Sequence, residues 1–352
     1  MFDQKATSAA NTRVVTLGEI MLRLTSPGHT RLLQTPFLEA SFGGGEANVA
    51  VSLASFGLDA AFFTALPEGP LGDAAVGELR RRGVDTSAII RQGERIGIYF
   101  LETGANQRAS NVLYDRSGSA IALLRREEVD LSALFAGASW FHITGITPAI
   151  SETAAALSIA AVRTAKEMGL TVSCDLNFRK KLWKYGKSAP QVMGELLPYV
   201  DIAVANEEDC QHSLGIGLDI DVSSGGLEVD RYRDLASLVL GRYPNLSKLA
   251  ITLREARSAD SNGWSALLAT RGDIYMSRRY EIRDIVDRVG GGDAFAAGLI
   301  YGSLCLDDEQ EALEFAVAAG CLKHSISGDL NLVSRQEVLR LMSGDGSGRV
   351  RR

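Results

Sequence analysis

The sequence predicts an α/β fold, a largely parallel sheet covered by helices on both faces, with a small β-sheet lid. Three observations carry that prediction. Short apolar, β-branched runs alternate with amphipathic helical patterns along most of the chain, which is the rhythm of βαβ units. Two excursions, 19–42 and 93–116, break the rhythm with extended patterns and turn residues. Three consecutive glycines, Gly290, Gly291 and Gly292, precede a small-residue apolar run that reads as a buried helix.

Residues 1–11 are polar and read as a frayed tail. The first buried strand is Val14-Val15-Thr16-Leu17. The first excursion carries the turn Pro27-Gly28, then Phe42-Gly43-Gly44-Gly45 passes into a helix. Ala61-Phe62-Phe63-Thr64 is the next strand, and the second excursion turns at Gly104-Ala105-Asn106. Both excursions lack a good helix, so they are read as one lid assembled from two distant segments. Further strands fall at Trp140–Ile143, Leu170–Ser173, Ile202–Val204 and Leu249–Thr252, with amphipathic helices at 151–168 and 230–241. The Gly/Ser-rich segment 343–352 reads as a second frayed tail, which leaves one domain over 12–342. Ligands of such sheets sit at the carboxyl ends of the strands.

Composition narrows the function classes. The 352 residues are 46% hydrophobic and 23% charged, an ordinary balance for a globular enzyme. A formal net charge of −6 lacks the basic excess of a nucleic-acid binder. The four cysteines, Cys174, Cys210, Cys305 and Cys321, are far apart and suit reduced thiols in a cytoplasmic core. No basic-then-apolar leader and no run of about 18 apolar residues points to export or a membrane.

Chemistry concentrates in four segments. In Gly290-Gly291-Gly292-Asp293 the backbone amides converge at a helix start, a ready anion site, and Asp293 stands where it can take a proton from an attacking hydroxyl. The competing reading is a glycine-rich helix start with Asp as its cap. Asp287, six positions earlier, and the small-residue helix favour the anion site. Gly43, Gly44 and Gly45 either ease packing or let the backbone approach a ligand, with Asn48 offering donor and acceptor to sugar hydroxyls. Asn206-Glu207-Glu208-Asp209 follows a strand and presents hard oxygen ligands suited to Mg²⁺, or is simply an acidic helix start. Arg179, after another strand, could clamp an anion bidentately or belong to a solvated loop, and Arg116 at the end of a lid strand is read the same way. Gly186-Lys187-Ser188 lacks the upstream glycine of a phosphate loop, since position 181 is Lys181. Neither a dinucleotide-binding glycine motif nor a nucleophile elbow is present, and the four histidines are scattered.

Together these segments resemble the PfkB (ribokinase-like) carbohydrate kinases. Gly43-Gly44-Gly45-x-x-Asn48 is similar to their N-terminal signature and Asp287–Asp293 to their C-terminal one, over residues 13–341. Gly18–Leu24, Tyr114-Asp115-Arg116 and Asp175-Leu176-Asn177-Phe178-Arg179 resemble the subgroup that phosphorylates 2-keto-3-deoxygluconate.

The resemblance implies a doubly wound sheet whose β-lid closes over the sugar, and a homo-oligomer, for which an exposed lid edge is a natural surface. It implies transfer of the γ-phosphoryl of MgATP to O6 of the sugar acid. Asp293 would be the base and the amides of Gly290, Gly291 and Gly292 the anion hole. Gly43, Gly44, Asn48, Tyr99, Tyr114, Arg116 and Arg179 would hold the sugar. Thr252, Arg254 and Gly263 would help seat ATP. Asn206 and Asp209 would place Mg²⁺ through water, and a requirement for a monovalent cation such as K⁺ is left open. Arg288 and Gly291 depart from the usual signature without removing an N–H, and Asp209 is one methylene shorter than the usual Glu. Where many relatives carry an early Asp, the strand reads Met21-Leu22-Arg23-Leu24, and an anion lost for arginines gained suits a substrate bearing a carboxylate. The alternatives are another sugar or sugar acid, such as ketodeoxygalactonate or fructose, and a catalytically silent sugar-binding regulator.

Overall fold

A computed structural model describes residues 12–217 and 229–346. The tail expected at 1–11 and the end of the one expected at 343–352 lie outside them. The last helix is Arg335–Met342, and Ser343, Gly344 and Asp345 donate backbone hydrogen bonds to Leu339, Leu341 and Arg340 at its end.

Among the described residues the central sheet has nine strands. From one edge run Asp59–Phe63, Arg13–Leu17, Ala138–Thr144, Thr171–Asp175, Ile202–Ala205 and Lys248–Ala256, all parallel. Asn262–Thr270 then pairs antiparallel, as do the short strands Ile274–Met276 and Tyr280–Ile282 against it. Every strand expected from the sequence is present; most are longer than expected, while Asp59–Phe63 stops short of Thr64 and Thr171–Asp175 starts after Leu170.

Alternation along the strands splits the core in two. Val14, Trp140, Val204 and Ala250 join one buried cluster with the helices Gly45–Phe56, Gly291–Cys305 and Glu309–Lys323. Val15, Phe141, Cys174 and Ile251 face the other, under the helices Glu152–Glu167 and Val229–Arg242. Both faces are covered, which is why the strands read as continuous apolar runs. The small-residue run after the glycines has a packing reason as well. A Cβ at Gly298 or Gly302 would come within 2.7 Å of the Ala316 Cα or 2.6 Å of the Ala312 Cα, so Gly291–Cys305 lies directly on the neighbouring helix.

The two excursions pair as expected into a separate four-stranded sheet, in the order Glu39–Gly43, Met21–Thr25, Gly97–Glu102, Asn111–Asp115. Its strand Met21–Thr25 follows directly from the carboxyl end of Arg13–Leu17, where the strand order of the central sheet reverses. That places the small sheet over the switch point at which such folds bind ligands.

Candidate active site

One cavity of about 550 Å³ opens between the two sheets. Its floor is built from segments just beyond the carboxyl ends of the central strands and from helix starts: Gly44 and Gly45 at the start of the helix Gly45–Phe56, Asp175 to Arg179, Asn206 to Asp209, and Gly290 to Asp293. Tyr99, Tyr114 and Arg116 line it from the small sheet. Asn48, Thr252, Arg254 and Asp293 line it as well.

Asp293 sits in the first turn of the helix Gly291–Cys305, whose N-cap is Gly290 at φ 83°. The left-handed turn needs glycine there, because a Cβ would also lie 2.1 Å from the Asp329 carbonyl oxygen. The first helical hydrogen bond runs from the Ala294 N–H to the Gly290 carbonyl, so the N–H groups of Gly292 and Asp293 have no partner within the helix. Burial pushes the Asp293 carboxyl up to about 6, and nearby Asp329 acts the same way. A hydrogen bond from Asn48 Nδ2 to Asp293 Oδ2 at 2.7 Å works against both.

Several sequence expectations are corrected. Asn48 does not present a free donor and acceptor pair to a sugar. Its Oδ1 accepts from the Gly44 N–H at 3.2 Å and its Nδ2 holds Asp293. Gly43 is outside the cavity, and a Cβ there would lie 2.2 Å from Asp329 Oδ2, so this glycine eases packing. At Gly44 a Cβ would lie 1.9 Å from the Glu19 carbonyl oxygen, a close approach of backbone to backbone. Gly291 lies outside the cavity lining, and its N–H donates to the Arg288 carbonyl at 3.3 Å. Gly263 is inside the strand Asn262–Thr270, where a Cβ would meet Arg279 and Glu255, and it does not line the cavity.

Arg23 does not line the cavity and is held by Asp329 Oδ1 at 2.6 Å and Asp287 Oδ2 at 2.5 Å in a buried network. Tyr99 spends its hydroxyl on the same network, donating to Asp329 Oδ1 at 2.5 Å. Arg116 stacks on Tyr114 with its guanidinium 5.4 Å from the ring centre, and it is paired with buried Glu19, which lines the cavity. The anion expected to be missing is therefore supplied by Glu19 from the turn before the strand Met21–Thr25. Arg179 is different. It is exposed, lines the cavity and donates only to the Phe178 carbonyl, with no ion pair among the described residues. Arg254 is exposed at the cavity wall, 5.4 Å over Trp264, and partial loss of solvent inside the cavity, together with Arg288 and Arg179, pulls its pKa down to about 10.

Asn206 and Asp209 form a reciprocal capping box: Asn206 Oδ1 accepts from the Asp209 N–H at 2.8 Å and Asp209 Oδ2 from the Asn206 N–H at 3.0 Å. Asp209 Oδ1 accepts from the Phe178 N–H at 2.7 Å. With both oxygens engaged, Asp209 fits a magnesium ion carried by phosphates and its own waters rather than a protein cage. Among the described residues no group of three or more His, Cys, Asp or Glu could hold a metal. Burial pushes Asp209 up to about 6, and Asp175 well above the usual carboxylate range, with Asp209 and Asp293 reinforcing the latter. A bound cation would restore their ionised forms. Sequence reasoning missed Glu19, Asp329, Trp264 and Asn177 as cavity residues. Asn177 could have been found from the segment Asp175–Arg179, which follows a strand at the ligand edge. No helix among the described residues is long and apolar enough to cross a membrane.

A helix start with unpaired N–H groups beside a half-buried carboxylate at the switch point, under a second sheet, fits the architecture of a phosphoryl-transfer enzyme for a small hydroxyl substrate. A profile of the pfkB family carbohydrate kinases matches residues 11–224, and the chain belongs to that family. It is a phosphotransferase with an alcohol group as acceptor. The chain is 49% identical to a 2-dehydro-3-deoxygluconokinase from Thermotoga maritima, whose crystal structure superposes with a TM-score of 0.89 over 95% of this chain and 98% of that one. It is 33% identical to a 2-dehydro-3-deoxygalactonokinase of Haloferax volcanii over 95% of this chain and 98% of the relative. A 2-dehydro-3-deoxygluconokinase of Thermoproteus tenax is 28% identical, with 92% of each chain covered.

Proposed function

We propose that this kinase transfers the γ-phosphoryl of MgATP to O6 of 2-keto-3-deoxygluconate. The observation that carries the reading is Asp293, a carboxylate poised near neutral pH at a glycine-built anion site, in a cavity also lined by Arg179, a cation with no ion pair among the described residues. In this reading the substrate carboxylate meets Arg179, and Tyr114 with the Arg116–Glu19 pair orients the remaining oxygens. Asp293 takes the O6 proton while the N–H groups of Gly292 and Asp293 donate hydrogen bonds to the oxygens of the transferring phosphoryl. Magnesium, reached from Asn206 and Asp209 through water, neutralises charge on the phosphates when bound. Thr252 and Arg254 line the nucleotide side. The small sheet closes the site against water, which limits wasteful hydrolysis of ATP.

The Haloferax volcanii relative supports a second reading, the galactonate epimer. ADP release measured against 2-keto-3-deoxygluconate, 2-keto-3-deoxygalactonate, gluconate and fructose tests both. The first should show the highest kcat/KM and fructose the lowest. Equal turnover of fructose would overturn the role given to Arg179, and the galactonate epimer ranking first would favour the second reading.

A further inference from the structure

Directly behind the glycine turn lies a fully buried amine. Lys323, the last residue of the helix Glu309–Lys323, has 0% relative exposure. Its Nζ donates to the Ile326 carbonyl at 3.0 Å and, at a longer 3.4 Å, to the Asp287 carbonyl at the start of the loop leading to Gly290. Its Cε would be 3.2 Å from a Cβ at Gly290, so the lysine stem packs against the residue whose left-handed turn shapes the anion site. Burial lowers its pKa, and the carboxylates of Asp287 and Asp329 act against that. The same two carboxylates hold Arg23. Two buried anions are thus matched by two buried cations, and deleting either cation leaves a net negative charge next to the site meant for phosphate.

We propose that Lys323 is a positioning residue for phosphoryl transfer, a covalently attached cation beneath the anion site that makes turnover independent of added monovalent cations. The ammonium ties Asp287 O to Ile326 O, which fixes the approach to Gly290, and it adds positive potential to that of the helix start. The inference rests on the phosphoryl-transfer reading above but not on the identity of the sugar.

The test compares turnover by the intact enzyme in tetramethylammonium, Na⁺ and K⁺ buffers of matched ionic strength, where wild type should vary by no more than about twofold. Lys323→Met should lose kcat by about tenfold or more with the acceptor KM little changed, because the charge acts on the phosphoryl and not on the sugar. Lys323→Ala leaves room for a small cation, and its turnover should be partly restored by NH₄⁺ or K⁺ but not by tetramethylammonium. A purely structural lysine would give no such cation-specific rescue. Strong dependence of wild type on K⁺ would overturn the proposal, as would wild-type kcat in folded Lys323→Met. If neither variant folds, the wild-type cation series decides alone. If no acceptor turns over, the functional reading fails instead. ATP affinity by calorimetry then still tests the lysine: it should be insensitive to K⁺ in wild type and weaker in Lys323→Met.

Discussion

Replacing Asn48 by alanine should move the acidic limb of the pH–rate profile without touching the base itself. The Asn48 Nδ2 donates to Asp293 Oδ2 at 2.7 Å, and this bond holds the carboxyl down against burial, which has raised it to about 6. A hydrogen bond to a charged group contributes about 1.5–3 kcal/mol. One pKa unit corresponds to about 1.4 kcal/mol, so losing the bond should raise the Asp293 pKa by about one to two units. The general base must be ionised to act. At pH 7 the ionised fraction would therefore fall from about nine-tenths to about a half or less, with activity recovering as pH rises toward about 9. The assay is kcat/KM across pH for wild type and Asn48→Ala, with folding checked by thermal melting. An acidic limb that stays at its wild-type position would refute the reasoning, whatever the loss in maximal rate. A limb that moves downward would mean the bond favours the protonated acid.

Asp293→Asn should cut turnover by about 10²–10⁴-fold while ATP binding, read by calorimetry, persists. The same substitution should raise the melting temperature above pH 7. A folded-state pKa raised above the unfolded value means stability is lost as pH rises between the two, and removing the ionisable group returns up to about 3 kcal/mol. Arg179→Lys should raise KM for the sugar acid by about tenfold or more and leave KM for ATP nearly unchanged, since lysine cannot make the bidentate contact. Arg23→Met should destabilise the fold by about 3–5 kcal/mol in chemical denaturation, because Asp287 and Asp329 lose a shared buried partner.

The sequence by itself determined the layered α/β class, the strands and the β-sheet assembled from two excursions. These are encoded locally, in apolar periods and turn residues that neighbouring positions share. It also singled out Gly290–Asp293 as a glycine-rich helix start beside a carboxylate, and Gly290, Gly292 and Asp293 do line the cavity. What each side chain does inside the cavity was decided only by tertiary structure. Arg23 reads as a free cation until the fold brings it to Asp287 and Asp329, 264 and 306 positions away. Asn48 reads as a sugar ligand until the fold seats it on Asp293, and Gly43 reads as a ligand glycine until the fold sets it against the Asp329 carboxylate. Glu19 lies within the Gly18–Leu24 segment, but its role becomes visible only as the partner of Arg116. A buried charge must find its counter-charge wherever the crossovers deliver one, and that pairing is a property of the packed chain rather than of any local run.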